Sequence, residues 1–184
     1  MPTSDPTLIH DMVRIICIIK PKKVLDIGCG FGKWGFLCRE FTDIIANRYN
    51  PKDWQVQIDA IEIFKDYITP VHNYIYDNIT IGDIRKMIIV DYDLIILGDV
   101  LEHMTKEEAL KVLEDCRKSG KNVVISTPKG YMPQGKVLDN ENERHIFGFE
   151  MKEMHDLGAT IIDAGRVFIA WFKNETQDID SKSS

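Results

Sequence analysis

Apolar runs alternate along this chain with segments whose apolar positions recur at helical spacing. The segment DPTLIHDMVRIICIIK (5–20) has apolar residues three and four apart, with Asp5 where a helix N-cap belongs. KKVLDI reads as a first strand and KWGFLCREF as the helix that follows it. WQVQIDAIEI alternates and then turns apolar, a second strand, and DNITIGD is a short third. In YDLIILGD five of the first six residues are apolar, which suits a central parallel strand covered on both faces. TKEEALKVLEDCRKSG is the clearest helix. Thr105 caps it, Glu108 completes a capping box, Leu110 and Leu113 face the core, and Gly120 ends it. KNVVIST is a fifth strand.

The pattern then changes. Residues 128–148, PKGYMPQGKVLDNENERHIFG, form a long polar stretch without periodicity, and a loop of that length in a compact domain is usually functional or disordered. EMKEMHDLG is a short helix closed by Gly158, and ATIIDAG and RVFIAWFK read as an antiparallel pair turning near Gly165. The alternation predicts a doubly wound α/β sheet with an antiparallel hairpin at one edge. It forms one domain over 1–173, opening with a helical segment at 1–22, and 174–184 is expected to be a disordered tail. Ligands of such sheets bind beyond the carboxyl ends of the strands, where strand order reverses.

Composition narrows the class. At 184 residues, 44% apolar and 28% charged, the chain has the make-up of one soluble globular domain. No apolar run approaches the roughly 20 residues of a membrane span, and the N-terminus lacks the basic-then-apolar signature of a secretory signal. Cys17, Cys29, Cys38 and Cys116 are scattered, with no CxxC pair. They read as free buried thiols in a reducing compartment such as the cytoplasm rather than as disulfides or a zinc knuckle. The net charge of −6 and the lack of a lysine or arginine run argue against broad nucleic-acid binding. No DNA partner is expected, while a small RNA end stays open; no oligomeric state is specified.

The stretch VLDIGCGFGKWG (24–35) puts glycines at alternate positions just past the first strand. Such residues serve a tight turn, or let a ligand lie against bare backbone. A phosphate-binding P-loop needs four residues between its first glycines and a hydroxyl after the lysine; here there are three, and Trp34 follows Lys33. A dinucleotide fingerprint needs its third glycine at 33, and Asp26 would repel a diphosphate. The pattern D-x-G-x-G-x-G, Asp26 to Gly32, instead resembles motif one of the class I S-adenosylmethionine-dependent methyltransferases. Their cofactor carries no phosphate, and its ammonium and sulfonium tolerate acids. Its methionine carboxylate can sit near backbone N–H groups of the turn.

Three more positions extend the resemblance. Glu62 closes strand two, where the family's acid accepts hydrogen bonds from both ribose hydroxyls. Asp83, after strand three, matches the acid that receives the adenine amino group, with Ile84 beside it as an apolar wall. YDLIILGDVLEHM (92–104) matches the fourth strand and its turn. The likeness spans roughly 23–173 and is nearest to small single-domain members reading DIGCGFGKWG and GDVLEHM. It implies a Rossmann-like, mostly parallel seven-stranded sheet. It also implies cofactor contacts from Asp26, Gly28, Cys29, Gly30, Gly32, Glu62, Ile63, Asp83, Ile84, Gly98 and Asp99.

Methyl transfer from a sulfonium is an in-line displacement in which the protein mainly aligns the acceptor and excludes water. Asp99, Glu102 and His103 lie past strand four, and Asp99 and His103 share a face if that turn is helical. His145 in the long loop is the other histidine within reach. Three roles stay open. His103 is a general base or orienting donor for a hydroxyl; or Asp99, Glu102, His103 and His145 bind Mg2+ or Mn2+; or Glu102 and His103 only brace the turn. The acid-x-x-Glu-His pattern with a later histidine resembles metal-dependent O-methyltransferases of quinone precursors or of the terminal ribose of small RNAs. Their first acid is usually glutamate, so Asp99 is one methylene short. No Asn/Asp-Pro-Pro-Tyr segment follows strand four and no Pro-Cys is present, which disfavours base amino or cytosine C5 methylation. Tyr131, Met132 and Phe147 are candidate acceptor-pocket residues; Phe149, Met151 and Met154 read as core. The expected activity is methylation of a small-molecule or sugar oxygen. The alternatives are metal-assisted 2'-O-methylation of RNA ribose and a non-catalytic cofactor-binding partner subunit.

Overall fold

The computed structural model describes residues 3–174. Seven strands form one sheet: β1 Lys23–Ile27, β2 Gln57–Glu62, β3 Asn78–Ile81, β4 Tyr92–Gly98, β5 Gly120–Pro128, β6 Thr160–Asp163 and β7 Val167–Lys173, in the order β3-β2-β1-β4-β5-β7-β6. The first five are parallel, and β7 inserts antiparallel between β5 and β6. The hairpin is at the edge as expected, with its second strand on the inside. That assignment follows burial: β7 is covered along six of its seven residues, whereas no residue of β6 is fully buried.

Helices α1 Ile9–Ile19, α2 Lys33–Arg39 and α3 Pro70–Ile75 cover one face; α4 Lys106–Ser119 and α5 Met151–Asp156 cover the other. The pleat of β4 feeds both cores, Leu94 and Ile96 into the first and Ile95 and Leu97 into the second. The box on α4 forms as read: the Glu108 N–H donates to Thr105 Oγ1 at 3.3 Å and the Thr105 N–H to Glu108 Oε2 at 3.0 Å. Leu113 is buried with Ala109, Val112 and Cys116, but Leu110 is only half-covered, one position off the apolar stripe. Asp5 caps a 3-10 turn, Pro6–Leu8, that leads into α1.

Three sequence expectations need correction. The pattern missed α3, a six-residue helix rich in aromatic and polar residues and too short to show a period. Between β3 and β4 the chain makes only a 3-10 turn, Ile84–Lys86, where regular alternation expects a helix. Cys17 lies exposed on α1; the other three thiols are buried. The tail expectation falls on 175–184, outside the described residues; Asn174 itself is tied by its side chain to the Gly120 carbonyl at 2.7 Å. Among the described residues no helix is long and apolar enough to cross a membrane.

Candidate functional site

Strand order reverses between β1 and β4. Just there, the glycine run bends with φ of +67° at Gly28, +52° at Gly30 and +84° at Gly32. Side chains rarely adopt that region, so the alternate glycines are a backbone requirement. Gly28 is also sterically fixed: a Cβ there would lie 2.5 Å from Val100 Cγ2. The bend is anchored from below by Gly28 N–H donating to the Ile61 carbonyl at 2.8 Å.

The Gly30 peptide is held at both ends. Its N–H donates to Glu62 Oε2 at 2.9 Å, and His72 Nε2 donates to its carbonyl at 2.8 Å. The direction of the second bond follows from the first turn of α3. There His72 Nδ1 accepts from the Thr69 N–H at 3.1 Å, which puts the proton on Nε2. His72 is thus a residue of the site that sequence reading missed, because its signal lay in the unrecognised α3. Asp26 is fully buried and sits beneath the bend. It accepts from the Gly35 N–H at 3.1 Å and from the Tyr76 hydroxyl at 2.6 Å, tying the bend to α2 and α3. Burial pushes its carboxyl up to about 6.

A cleft opens above this bend. Glu62, Ile63, Asp83, Ile84, Gly98, Asp99 and His103 line it, together with Lys33, Tyr67, Arg85, Asn140 and Glu143, which sequence reading did not single out. Glu62 also receives the Phe64 N–H on Oε1 at 2.9 Å. Burial raises its pKa above the ordinary value. Asp83 is occupied more heavily: the Arg85 guanidinium grips both oxygens at 2.8–3.1 Å and its backbone N–H adds a fourth contact at 3.0 Å. The guanidinium holds that carboxyl below its usual range. An adenine amino group there would share Asp83 with Arg85, a partner two residues on that spacing alone did not flag.

The long polar stretch is folded back over the site. Tyr67 donates to Glu143 Oε1 at 3.0 Å, and Asn140 Nδ2 donates to the Tyr67 oxygen at 3.3 Å. At its far end the Ile146 N–H donates to the Glu102 carbonyl at 2.8 Å. This lays His145 against His103, ring centroids 4.9 Å apart, and the donor atoms of Glu102, His103 and His145 lie within 4.8 Å of one another. His103 Nδ1 donates to the Arg144 carbonyl at 3.0 Å and His145 Nδ1 to the Met132 carbonyl at 2.6 Å. A carbonyl only accepts, so in its neutral form each ring keeps an unprotonated Nε2. Both carboxylate oxygens of Glu102 are buried without a hydrogen-bond partner. Burial, with Asp99 nearby, holds that carboxyl well above its usual pKa, and desolvation lowers that of His103.

Asp99 does not join the three. It sits at the β4 tip with φ +55°, before the single 3-10 turn Leu101–His103, so the helical face expected to align Asp99 with His103 is absent. Its N–H donates to the Ser126 carbonyl at 2.9 Å and its carboxyl faces Ser4 and Lys33. Of the candidate acceptor residues, Phe147 packs edge-on against buried Phe149, with centroids 4.6 Å apart. Tyr131 and Met132 are exposed, Met154 is in the core and Met151 is half-buried against it.

No protein-family model and no curated protein matches the sequence. Solved structures do match in fold. An O-methyltransferase family protein from Burkholderia thailandensis superposes with TM-score 0.62 at 14% identity, over 91% of this chain and 57% of that one. The 1,6-didemethyltoxoflavin-N1-methyltransferase of the same organism, solved with its substrate and S-adenosylhomocysteine, gives 0.60 at 15% identity over 92% and 80%. The small RNA methyltransferase HEN1 gives 0.60 at 16% identity over 92% of this chain and 25% of that one. The chain spans little more than half the length of the first of these. The sheet order, the glycine bend at its switch point and these superpositions together identify the fold as that of the class I S-adenosylmethionine-dependent methyltransferases.

Proposed function

We propose that this protein is an S-adenosylmethionine-dependent methyltransferase that acts on a hydroxyl of a small-molecule or sugar acceptor. The observation that carries the reading is the bend at Gly28, Gly30 and Gly32, with the Glu62 carboxylate pinned beside it by the Gly30 and Phe64 N–H groups. When bound, S-adenosylmethionine supplies a methyl group already activated on a sulfonium. The chain's own residues bind, orient and exclude water. Glu62 takes the two ribose hydroxyls, Ile84 and Ile63 wall the adenine, and the segment over Tyr67 and Glu143 closes the cleft from solvent.

On the acceptor side, Glu102, His103 and His145 fit a divalent cation such as Mg2+ or Mn2+. Two unpartnered buried oxygens and two imidazoles with bare Nε2 atoms are a donor set with its outer hydrogen bonds already in place. Such an ion supplies Lewis-acid polarisation of acceptor oxygens. This convergence also favours a second reading, a ribose hydroxyl at an RNA end.

Calorimetric titration with S-adenosylhomocysteine tests the cofactor assignment. Wild type is expected to bind, and Glu62→Ala to bind more than about tenfold more weakly, as loss of charged hydrogen bonds implies. Unchanged affinity in the variant removes the ribose assignment. Mass-spectrometric detection of a methylated product from a metabolite extract separates an enzyme from a non-catalytic cofactor-binding subunit. A substrate bound with steep salt dependence identifies RNA instead.

A further inference from the structure

Both polar atoms of the Gly30 backbone are committed to side chains of other elements, Glu62 at the end of β2 and His72 in the first turn of α3. The bend needs such outside help. Glycine visits many backbone states, so three glycines at alternate positions lose much freedom when held in one shape. His72 is buried and packs beneath the bend, where a Cβ on Gly32 would lie 3.6 Å from its Nε2. Its other nitrogen accepts the Thr69 N–H inside the capping box of α3, so one ring spans from the helix start to the bend. At the other end of α3, Tyr76 makes a second connection. Its hydroxyl donates to Asp26 Oδ2, which also accepts the Gly35 N–H just past the bend. The two rings stack with centroids 6.0 Å apart. Residues four apart lie on one helix face, so α3 reaches the bend from a single side at two points.

We propose that His72 is a positioning residue for the cofactor. By holding the Gly30 carbonyl to α3 it pre-sets the bend, and through the Gly30 N–H it also fixes the Glu62 carboxylate. The proposal rests on the cofactor reading. His72 itself does not line the cleft, so it acts through Gly30 and not by touching the ligand. A bend already held in its binding shape loses less freedom when the ligand arrives, and affinity rises without a new contact.

The test replaces the ring by side chains that keep or lose its two bonds. Glutamine is a capping-box residue at this position, and its amide still offers an N–H to the Gly30 carbonyl, so His72→Gln keeps both. His72→Leu fills the space and keeps neither. S-adenosylhomocysteine is titrated calorimetrically into wild type and both variants, at a temperature where denaturation curves show all three folded. Exchange of the Gly30 N–H is followed by NMR in the ligand-free proteins. His72→Leu is expected to bind about tenfold more weakly and to exchange the Gly30 N–H about tenfold faster, as loss of a hydrogen bond to a buried carbonyl implies. His72→Gln is expected to stay within about threefold of wild type in both readouts. A His72→Leu protein that melts earlier but keeps its affinity and its Gly30 exchange rate makes His72 a helix cap only and overturns the proposal. A His72→Gln protein that binds as weakly as His72→Leu overturns it too. If wild type does not bind S-adenosylhomocysteine, the cofactor reading itself fails and the proposal with it, whatever the exchange rates.

Discussion

At the scale of residues, the site is built from positions where a single atom decides. Gly35 is one: a Cβ there would sit 2.2 Å from the Tyr76 ring, the ring whose hydroxyl holds Asp26. Gly35→Ala is expected to destabilise the protein by about 1–3 kcal/mol through overpacking and to weaken S-adenosylhomocysteine binding by displacing the Asp26 anchor. Gly158→Ala meets no neighbour within 4 Å, so its cost is confined to its φ of +98°, and ligand affinity is expected to stay unchanged. Chemical denaturation with a binding titration checks both. Asp26 gives a pH signature. Its folded carboxyl titrates at about 6, above its ordinary 3.8, so the folded state holds this proton more tightly than the unfolded chain. That contribution to stability is complete below about pH 4 and is lost as pH rises through about 6, of order 3 kcal/mol in all. Asp26→Asn cannot titrate, and denaturation profiles from pH 4 to 7 should lose that downward slope; an identical slope in the variant would place its origin elsewhere.

Among the elements, α4 is the one whose sequence and structure agree most fully, from the box at Thr105 to the buried stripe Ala109, Val112, Leu113 and Cys116. Thr105→Ala removes a hydroxyl that accepts the Glu108 N–H and is expected to cost about 1 kcal/mol. Because α4 packs behind the 3-10 turn carrying Glu102 and His103, the loss should register in thermal melting and leave cofactor affinity intact. The contrary case is the 128–148 segment. Past Pro128, the last residue of β5, it has a single 3-10 turn, Glu141–Glu143, and no further strand of the sheet, and its order comes from contacts such as Tyr67 with Glu143, Gln134 Nε2 with the Glu143 carbonyl at 2.8 Å, and Ile146 with Glu102. No local period foreshadows such contacts.

At the scale of the whole molecule, the glycine bend, Glu62 and the turn carrying Glu102 and His103 meet at the tips of β1, β2 and β4, and the folded-back segment touches both sides through Tyr67 with Glu143 and Ile146 with Glu102. If Glu102, His103 and His145 take a cation, Mn2+ binds the folded state and raises the melting temperature. The gain is about 2.7 kcal/mol at a hundredfold excess over its dissociation constant. EDTA reverses the shift and abolishes methyl transfer, and Glu102→Gln shows no shift at all. A melting temperature and turnover indifferent to Mn2+ and EDTA return these three side chains to bracing the turn.

By itself the sequence determined the seven strands, helices α1, α2, α4 and α5, the glycine bend, the acids at the ends of β2 and β3 and the caps of α4. All of these are written in residues near one another, where backbone geometry and burial period act over a few positions. The tertiary structure alone decided which distant groups converge. It brought His145 to Glu102 and His103, left Asp99 with Lys33 and Ser4, and clamped Gly30 with His72. Those assignments depend on how turns of one to three residues orient side chains and on a polar segment with no period of its own. Only the packed sheet and its two cores fix such directions in space.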